Sequence, residues 1–230
     1  MFVPYFDPLY FVFALPAFAL GIIAQILLKI WTGSYMKKKP ISGFNGAQTV
    51  EKIANNRGFS ISLAVTGHRL GDNYNPSNKT LTLSEEIARI PSITSVGIAA
   101  HELGHVEQHQ SGSMLIKLRT AMVPALNIST NIGYFLLIFG IIIGLADLAW
   151  IGIILFSGAV LFSLLTLPIE IDASKRALNM LTKESILMPQ ELPGVKKVLS
   201  AAALTYVAAT IQSLGTLLYF ILRVRGISRN

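Results

Sequence analysis

The sequence predicts a mainly α-helical membrane protein with about four transmembrane helices and a small α+β domain on the cytoplasmic side. Hydrophobic residues make up 52% of the 230 positions and charged residues only 13%, whereas soluble domains carry about 25% charge. The apolar residues fall into four uncharged blocks. The polar residues lie between these blocks, which leaves room for a small domain outside the bilayer.

The four blocks occupy residues 9–28, 123–146, 148–169 and 200–222. The first has about the 20 residues that a helix needs to cross a bilayer. Asp147 alone separates the second from the third, which predicts a helical hairpin. The fourth is diluted by Thr, Ser, Gln and Tyr. The expected division is an anchor at 1–30, a polar region at 31–121, the hairpin at 122–169, a helical segment at 170–199, and a last span with a basic tail at 200–230.

The distribution of lysine predicts the orientation. Lys29 and the run at 37–39 follow the first block and nothing basic precedes it, so the positive-inside rule places residues 31 onward in the cytoplasm. A hairpin then returns 170–199 to the same side. If 200–222 also spans, Arg223 and Arg225 fall outside, against the rule. Either the early charges dominate, or that block is not a simple span. The N-terminus lacks the pattern of a cleavable signal, so the first block is expected to remain as an anchor.

The first polar region has the pattern of a small α+β fold. Residues 46–57 suit a short amphipathic helix, and residues 60–66 alternate like a strand. A stretch rich in Gly, Asp, Asn and Pro follows, and then Thr80–Ser84 alternates again. A hairpin or a two- to three-stranded sheet is expected. Thr80–Ser84 either presents an open edge that binds an extended substrate or is an ordinary buried strand; the two alternatives have equal weight.

The next segment carries the strongest chemical signal. Ser92 follows a proline and can cap a helix that continues without a breaker to about Gln110. This helix contains HELGH, and residues four apart share a helix face, so His101 and His105 point together. Two imidazoles suit zinc, and Glu102 beside them suits a general base for the attacking water. The chain has no cysteine, so nitrogen and oxygen must hold the ion.

A catalytic zinc site normally takes a third protein ligand. Glu170 is favoured, because it lies where the hairpin's second helix leaves the membrane and an unpaired carboxylate is costly there. Asp172 is a candidate to orient a ligand histidine. His109 cannot join His101 and His105 on one straight helix, since the three span about 12 Å; His68 is a weaker candidate ligand.

The net charge of +7 does not indicate nucleic-acid binding. The basic residues are scattered, and no recognition motif accompanies them. The lipid bilayer is therefore the expected partner of these charges.

Three stretches resemble a known family: HELGH at 101–105, LGDNYNP at 70–76 with TLTLS after it, and PIEIDASKRAL at 168–178. They look like those of the YugP-like neutral zinc metallopeptidases of prokaryotic membranes, and the order of elements is similar to that of HtpX-type peptidases. The resemblance covers about residues 30–200. It implies a zincin-like domain in which His101, His105 and Glu170 hold zinc and Glu102 is the catalytic acid/base.

Two positions depart from these families. The HtpX-like motif has Asp four residues after the ligand Glu, where this chain has Ser174, so Asp172 is expected to replace that carboxylate. The YugP-like turn commonly has His where this chain has Asn73, and no role is assigned there.

The expected protein is therefore a multi-pass zinc metalloendopeptidase of the prokaryotic cell membrane, with one zinc per chain. It would cleave membrane-associated or unfolded proteins on the cytoplasmic side, and His109 and Arg176 are candidates to stabilise the oxyanion. An intramembrane protease is disfavoured by the polar residues after His105. The remaining alternative is a catalytically silent membrane scaffold or adaptor with a structural zinc. The sequence does not indicate an oligomeric state.

Overall fold

The computed structural model describes residues 7–68 and 71–227. Its elements in chain order are α1 (Pro8–Met36), α2 (Gly46–Arg57), β1 (Ser62–Thr66), β2 (Asn73–Asn75), β3 (Thr80–Ser84), α3 (Glu85–Arg89), α4 (Ile93–Gln110), α5 (Met114–Ile143), α6 (Ala146–Lys183) and α7 (Leu192–Ile227). The start of the predicted anchor at 1–6, Leu70 of the turn and the end of the basic tail at 228–230 lie outside the described residues.

Three of the described helices, α1, α6 and α7, are long and apolar enough to cross a membrane. In α5, the segments Met114–Leu126 and Ile128–Ile143 meet this criterion only as a pair bent by 50°, which would bring the number to four. The prediction of long apolar helices is confirmed, and the block at 200–222 lies within one of them.

The turn of the helical hairpin lies a little earlier than the sequence suggested. Gly144 and Leu145 separate α5 from α6, and Asp147 belongs to the first turn of α6. Gly144 has φ of 74°, a left-handed conformation that ends helices and that glycine adopts without strain. Asp147 is well placed in the next helix, because a carboxylate is favoured near a helix N-terminus.

One compact unit consists of Met1–Ala24, Leu118–Leu167 and Leu204–Asn230. Within it α5 and α6 approach closely at glycines: a Cβ on Gly152 would lie 2.4 Å from the backbone nitrogen of Leu137. Small residues permit such close contact between apolar helices. The core of this unit includes Leu137, Ala149, Ile153, Phe220 and Val224.

The other compact unit consists of Gln25–Lys117 and Pro168–Ala203. Its core forms around α4, whose Val96, Leu103 and Val106 are fully buried. The sheet contributes Leu81 and Leu83 to this core, α2 contributes Val50 and Ile53, and α6 contributes Ala177, Met180 and Leu181. All the predicted site residues belong to this unit.

The sheet has the strand order β1-β3-β2. β1 pairs parallel to β3 from Ser62 opposite Thr80 to Thr66 opposite Ser84, and β2 pairs antiparallel to β3. The two longer strands therefore do not form a hairpin with each other. β3 is paired on both sides, so of the two alternatives for Thr80–Ser84 the open edge is wrong and the buried strand is right.

Capping residues define the two helices that support the site. Asn45 and Gln48 form a capping box at the start of α2, and Gly58 ends it with φ of 65°. Ser92 caps α4 by accepting a hydrogen bond from the backbone N–H of Ser95. The helix predicted at 46–57 and the helix predicted from Ser92 to Gln110 are both confirmed.

Candidate metal centre

The two histidines of HELGH lie on the same side of α4. His105 is buried and His101 is half-buried, with ring centroids 4.9 Å apart and ring planes almost perpendicular. Other side chains of α4 are buried in the core. The helix therefore cannot rotate, and the side that carries the two histidines keeps one direction.

A close approach between α4 and α6 brings the third candidate ligand to the histidines. Gly104 faces the backbone of α6 at Ala173, and a Cβ on Gly104 would lie only 2.5 Å from the Ala173 carbonyl oxygen. The absence of a side chain thus permits backbone contact. Glu170, one helical turn before Ala173, is placed beside the histidines with 3% of its surface exposed.

The three side chains present a compact donor set. Glu170 Oε2 lies 3.2 Å from His101 Nε2 and 3.6 Å from His105 Nε2, and one ligand atom from each residue lies within 4.8 Å of the others. Tetrahedral ligands about 2.0–2.1 Å from a zinc ion are separated by roughly 3.3 Å. Both measured separations are close to this value, so His101, His105 and Glu170 fit a zinc ion.

Glu102 is buried beside this donor set. Burial raises the pKa of its carboxyl group above the ordinary value, although the neighbouring His105 and His101 act in the opposite direction. A carboxylate with a raised pKa is a stronger base than an exposed one. Burial also disfavours the charged form of His105, but its contacts with Glu170 and Glu102 outweigh this and raise its pKa.

Each ligand histidine is held at its second ring nitrogen. His101 Nδ1 lies 3.3 Å from Ser174 Oγ, and that hydroxyl donates to the Glu170 carbonyl oxygen. His105 Nδ1 lies 3.0 Å from Gln108 Oε1. Ser174, which departs from the HtpX-like motif, therefore lies where it can support His101.

Asp172 reaches the site through another residue. Its Oδ2 accepts a hydrogen bond from Gln108 Nε2 at 2.9 Å and one from Arg176 Nε at 2.7 Å. The structure thus places Gln108 between Asp172 and His105.

The two candidate oxyanion stabilisers differ in their surroundings. His109 Nδ1 lies 2.9 Å from the hydroxyl of Tyr74 on β2. Arg176 forms ion pairs with Asp172 and with Glu107, at 2.7 and 3.0 Å.

Ion pairs join three helices around the site. Arg57 on α2 contacts Glu107 on α4 at 2.8 Å and Glu184, just after α6, at 3.0 Å. Since Glu107 also pairs with Arg176 on α6, the three elements are connected through charged groups that lie beyond the donor set.

The other residues considered from the sequence are not among the three donors. His68 is exposed after β1, and among the described residues it is not part of the donor group. Asn73 lies on β2, and its side chain donates to the Gly71 carbonyl oxygen. In the same turn, Asp72 accepts hydrogen bonds from the backbone and hydroxyl of Ser84, which ties the turn to the end of β3.

Sequence reasoning missed several contributors. Gln108 is three residues after His105, and Ser174 is four residues after Glu170, so helical spacing could have indicated both. Tyr74 and Arg57 gave no such signal, because their contacts join elements distant in the chain.

Two histidines and a glutamate could hold one metal ion, and a second glutamate lies beside the first histidine, an arrangement typical of zinc metallopeptidases. Residues 10–225 match the model of the family described as "Putative neutral zinc metallopeptidase", and the chain belongs to that family. It is similar to the "Putative membrane protease YugP" of Bacillus subtilis (strain 168), with 37% identity over 215 residues, covering 93% of this chain and 96% of that protein. No solved structure gives a significant match.

Proposed function

We propose that this protein is a zinc-dependent metalloendopeptidase of the prokaryotic cell membrane that hydrolyses peptide bonds of membrane-associated or unfolded proteins at the cytoplasmic face. The convergence of His101, His105 and Glu170 beside Glu102 carries the proposal. A purely structural zinc would need no buried carboxylate next to its ligands. The membership in a zinc peptidase family supports the same conclusion.

The chemistry divides between the ion and the protein. One zinc ion per chain would supply a Lewis acid that polarises the scissile carbonyl and promotes the ionisation of water. Glu102 would accept a proton from the attacking water at a carboxylate oxygen and then deliver it to the leaving amine. Burial suits Glu102 to this task, because it raises the pKa of the carboxyl group and thereby makes the carboxylate a stronger base.

His109 is the better of the two candidates for stabilising the oxyanion. It lies one turn beyond His105, and Tyr74 holds its ring, so either group could donate a hydrogen bond to developing charge. Arg176 is engaged by two carboxylates. These contacts suit it to holding Asp172 and Glu107 in place.

Substrate binding can be assigned to the outer edge of β2. Within the described residues β2 pairs with β3 alone, and Tyr74 in its centre contacts His109 of α4. An extended peptide could add to this edge through backbone hydrogen bonds.

The end of α1 supports placement at a membrane surface. Lys197 Nζ lies 4.6 Å from the centre of the Trp31 ring, and Lys38 Nζ lies 4.7 Å from that of Tyr35. Aromatic rings and lysines are typical of the bilayer interface. We infer that α1 ends at the cytoplasmic surface and that the lipid bilayer is the partner of the apolar helices.

The test is zinc quantification together with casein proteolysis on purified wild type, Glu102→Gln and Glu170→Ala. Wild type should hold one zinc per chain and cleave casein. Glu102→Gln should keep zinc and lose cleavage, because the amide cannot accept a proton, whereas Glu170→Ala should lose both. Glu51→Gln, at an exposed position of α2, is the control and should behave as wild type.

Two results would contradict the proposal. Retained cleavage by Glu102→Gln would exclude it as the base. A wild-type protein that holds zinc and cleaves nothing would favour the scaffold alternative.

A further inference from the structure

We propose that Gln108 is the positioning residue that sets the tautomer and ring orientation of His105, and that Asp172 with Arg176 fixes the amide of Gln108. The inference rests on the proposed metal site, but it concerns the protein's own hydrogen bonds. It gives a role to a residue that lies outside HELGH and is not one of the three candidate ligands.

The orientation of the Gln108 amide follows from its neighbours. Its side chain is buried, and Nε2 lies 2.8 Å from the Ile169 carbonyl oxygen and 2.9 Å from Asp172 Oδ2. Both neighbours are acceptors, so both amide hydrogens are used. Flipping the amide would place its oxygen against two other oxygens, one of them charged.

The fixed amide determines the state of His105. Gln108 Oε1 must face His105 Nδ1, at 3.0 Å, and an amide oxygen can only accept. A neutral His105 ring therefore carries its proton on Nδ1. Its Nε2, 3.6 Å from Glu170 Oε2, is left with a lone pair. A metal ion needs a ring nitrogen in this state as its ligand.

Asp172 and Arg176 hold the amide of Gln108 at its NH₂ end. Arg176 Nε donates to the same Asp172 oxygen that Gln108 contacts, and this pairing favours the charged carboxylate. A charged Asp172 can only accept, so it keeps the NH₂ end of Gln108 toward itself. Arg176 thus fixes Asp172, and Asp172 fixes Gln108. The group that contacts His105 is the neutral amide of Gln108.

The experiment reads the tautomer directly in full-length protein in detergent, labelled with ¹⁵N-histidine. The chain has only four histidines, so long-range ¹H–¹⁵N spectra are simple, and a His105→Gln variant assigns His105. Metal-free samples are measured at alkaline pH, because only a neutral ring has two distinct tautomers. The samples are wild type and Gln108→Met, which removes the acceptor. Gln110→Met, exposed on the same helix, is the matched control.

We expect wild type and Gln110→Met to show His105 with its proton on Nδ1. Gln108→Met should shift toward the Nε2–H form that free imidazoles prefer in water. Chelator competition with zinc should show about 10–100-fold weaker binding for Gln108→Met and no change for Gln110→Met.

If His105 of the wild-type protein is in the Nε2–H form, the inference is wrong. This outcome needs no variant, so the inference can be tested even if Gln108→Met does not fold. Weak zinc binding by a Gln108→Met protein that keeps Nδ1–H would also overturn it, because the loss would then be structural. If wild type binds no zinc, the proposed function fails, and the tautomer spectra still decide the role of Gln108.

Discussion

Gly104 lies where the two helices that carry the proposed metal ligands approach closely, so Gly104→Ala tests the geometry of the site. A Cβ at this position would lie 2.5 Å from the carbonyl oxygen of Ala173, and ordinary contact begins at 3.4 Å. Relief requires the helices to separate by about 0.9 Å, because a backbone oxygen inside a helix cannot rotate away. Glu170 lies one turn from Ala173 and would move with it.

This displacement exceeds what a metal site tolerates. Ligand distances in such sites hold to about 0.2 Å. A misplacement of reacting groups by about 1 Å can lower the reaction rate by a factor of about 100. We therefore expect Gly104→Ala to bind zinc about 10–100-fold more weakly, the range for a disturbed support of a metal ligand, and to lose proteolysis. The free energy of unfolding should fall by only about 0–2 kcal/mol. Overpacking costs about 1–3 kcal/mol, but alanine stabilises a helix by about 1 kcal/mol relative to glycine.

The assay is chelator competition for zinc, combined with thermal unfolding of the metal-free protein. Gly97→Ala is the matched control on the same helix: its Cβ would lie 2.9 Å from Cγ1 of Val195, a side-chain atom of α7, which carries none of the donors. It should bind zinc as wild type does. Wild-type zinc affinity in Gly104→Ala would refute the claim that this contact sets the position of Glu170.

Two further substitutions test the surroundings of the donor set. Ser174→Ala removes the hydroxyl next to His101 Nδ1; because that contact is long, at 3.3 Å, zinc affinity measured by chelator competition should fall by about tenfold, and an unchanged affinity would exclude this support. Glu107→Gln weakens contacts to both Arg57 and Arg176, so thermal unfolding should show a loss of about 1–2 kcal/mol that shrinks at high salt. Glu85→Gln breaks an exposed pair with Arg89 and should unfold as wild type; equal effects of the two variants would contradict the importance of the Glu107 pairs.

The local elements of the fold could be predicted from the sequence because their signals are local. Ser92 follows a proline and precedes an unbroken helical stretch, and Asn45 with Gln48 forms a capping box; both helices begin where these residues indicate. The positions of His101 and His105 follow from helical periodicity alone.

Pairing between distant segments could not be predicted in the same way. Alternation marked β1 and β3 as strands, but it carries no information on which neighbours they choose, so the central place of β3 was not evident. Similarly, Asp172 was a candidate because it follows Glu170 by two residues, whereas the intervening Gln108 depends on how closely α4 meets α6.

Glu170 was predictable for an energetic reason. It follows a long apolar block, where an isolated carboxylate would be costly, so a cationic partner had to exist. The structure places it against two histidines. The hydroxyl of Ser174 and the amide of Gln108 that hold those histidines carry no comparable energetic cost, so only their helical spacing could have indicated them.

The ion pairs around the site bear on how the metal centre keeps its shape. His101 and Glu170 are 69 positions apart, so the donor set depends on the packing of α4 against α6. Glu107 on α4 contacts Arg176 on α6, and Arg57 joins Glu107 to Glu184 at the end of α6. These contacts use none of the three donor residues. We therefore expect the donors to be prearranged without the ion: zinc then enters an existing site, and its removal should abolish proteolysis while leaving the helices folded.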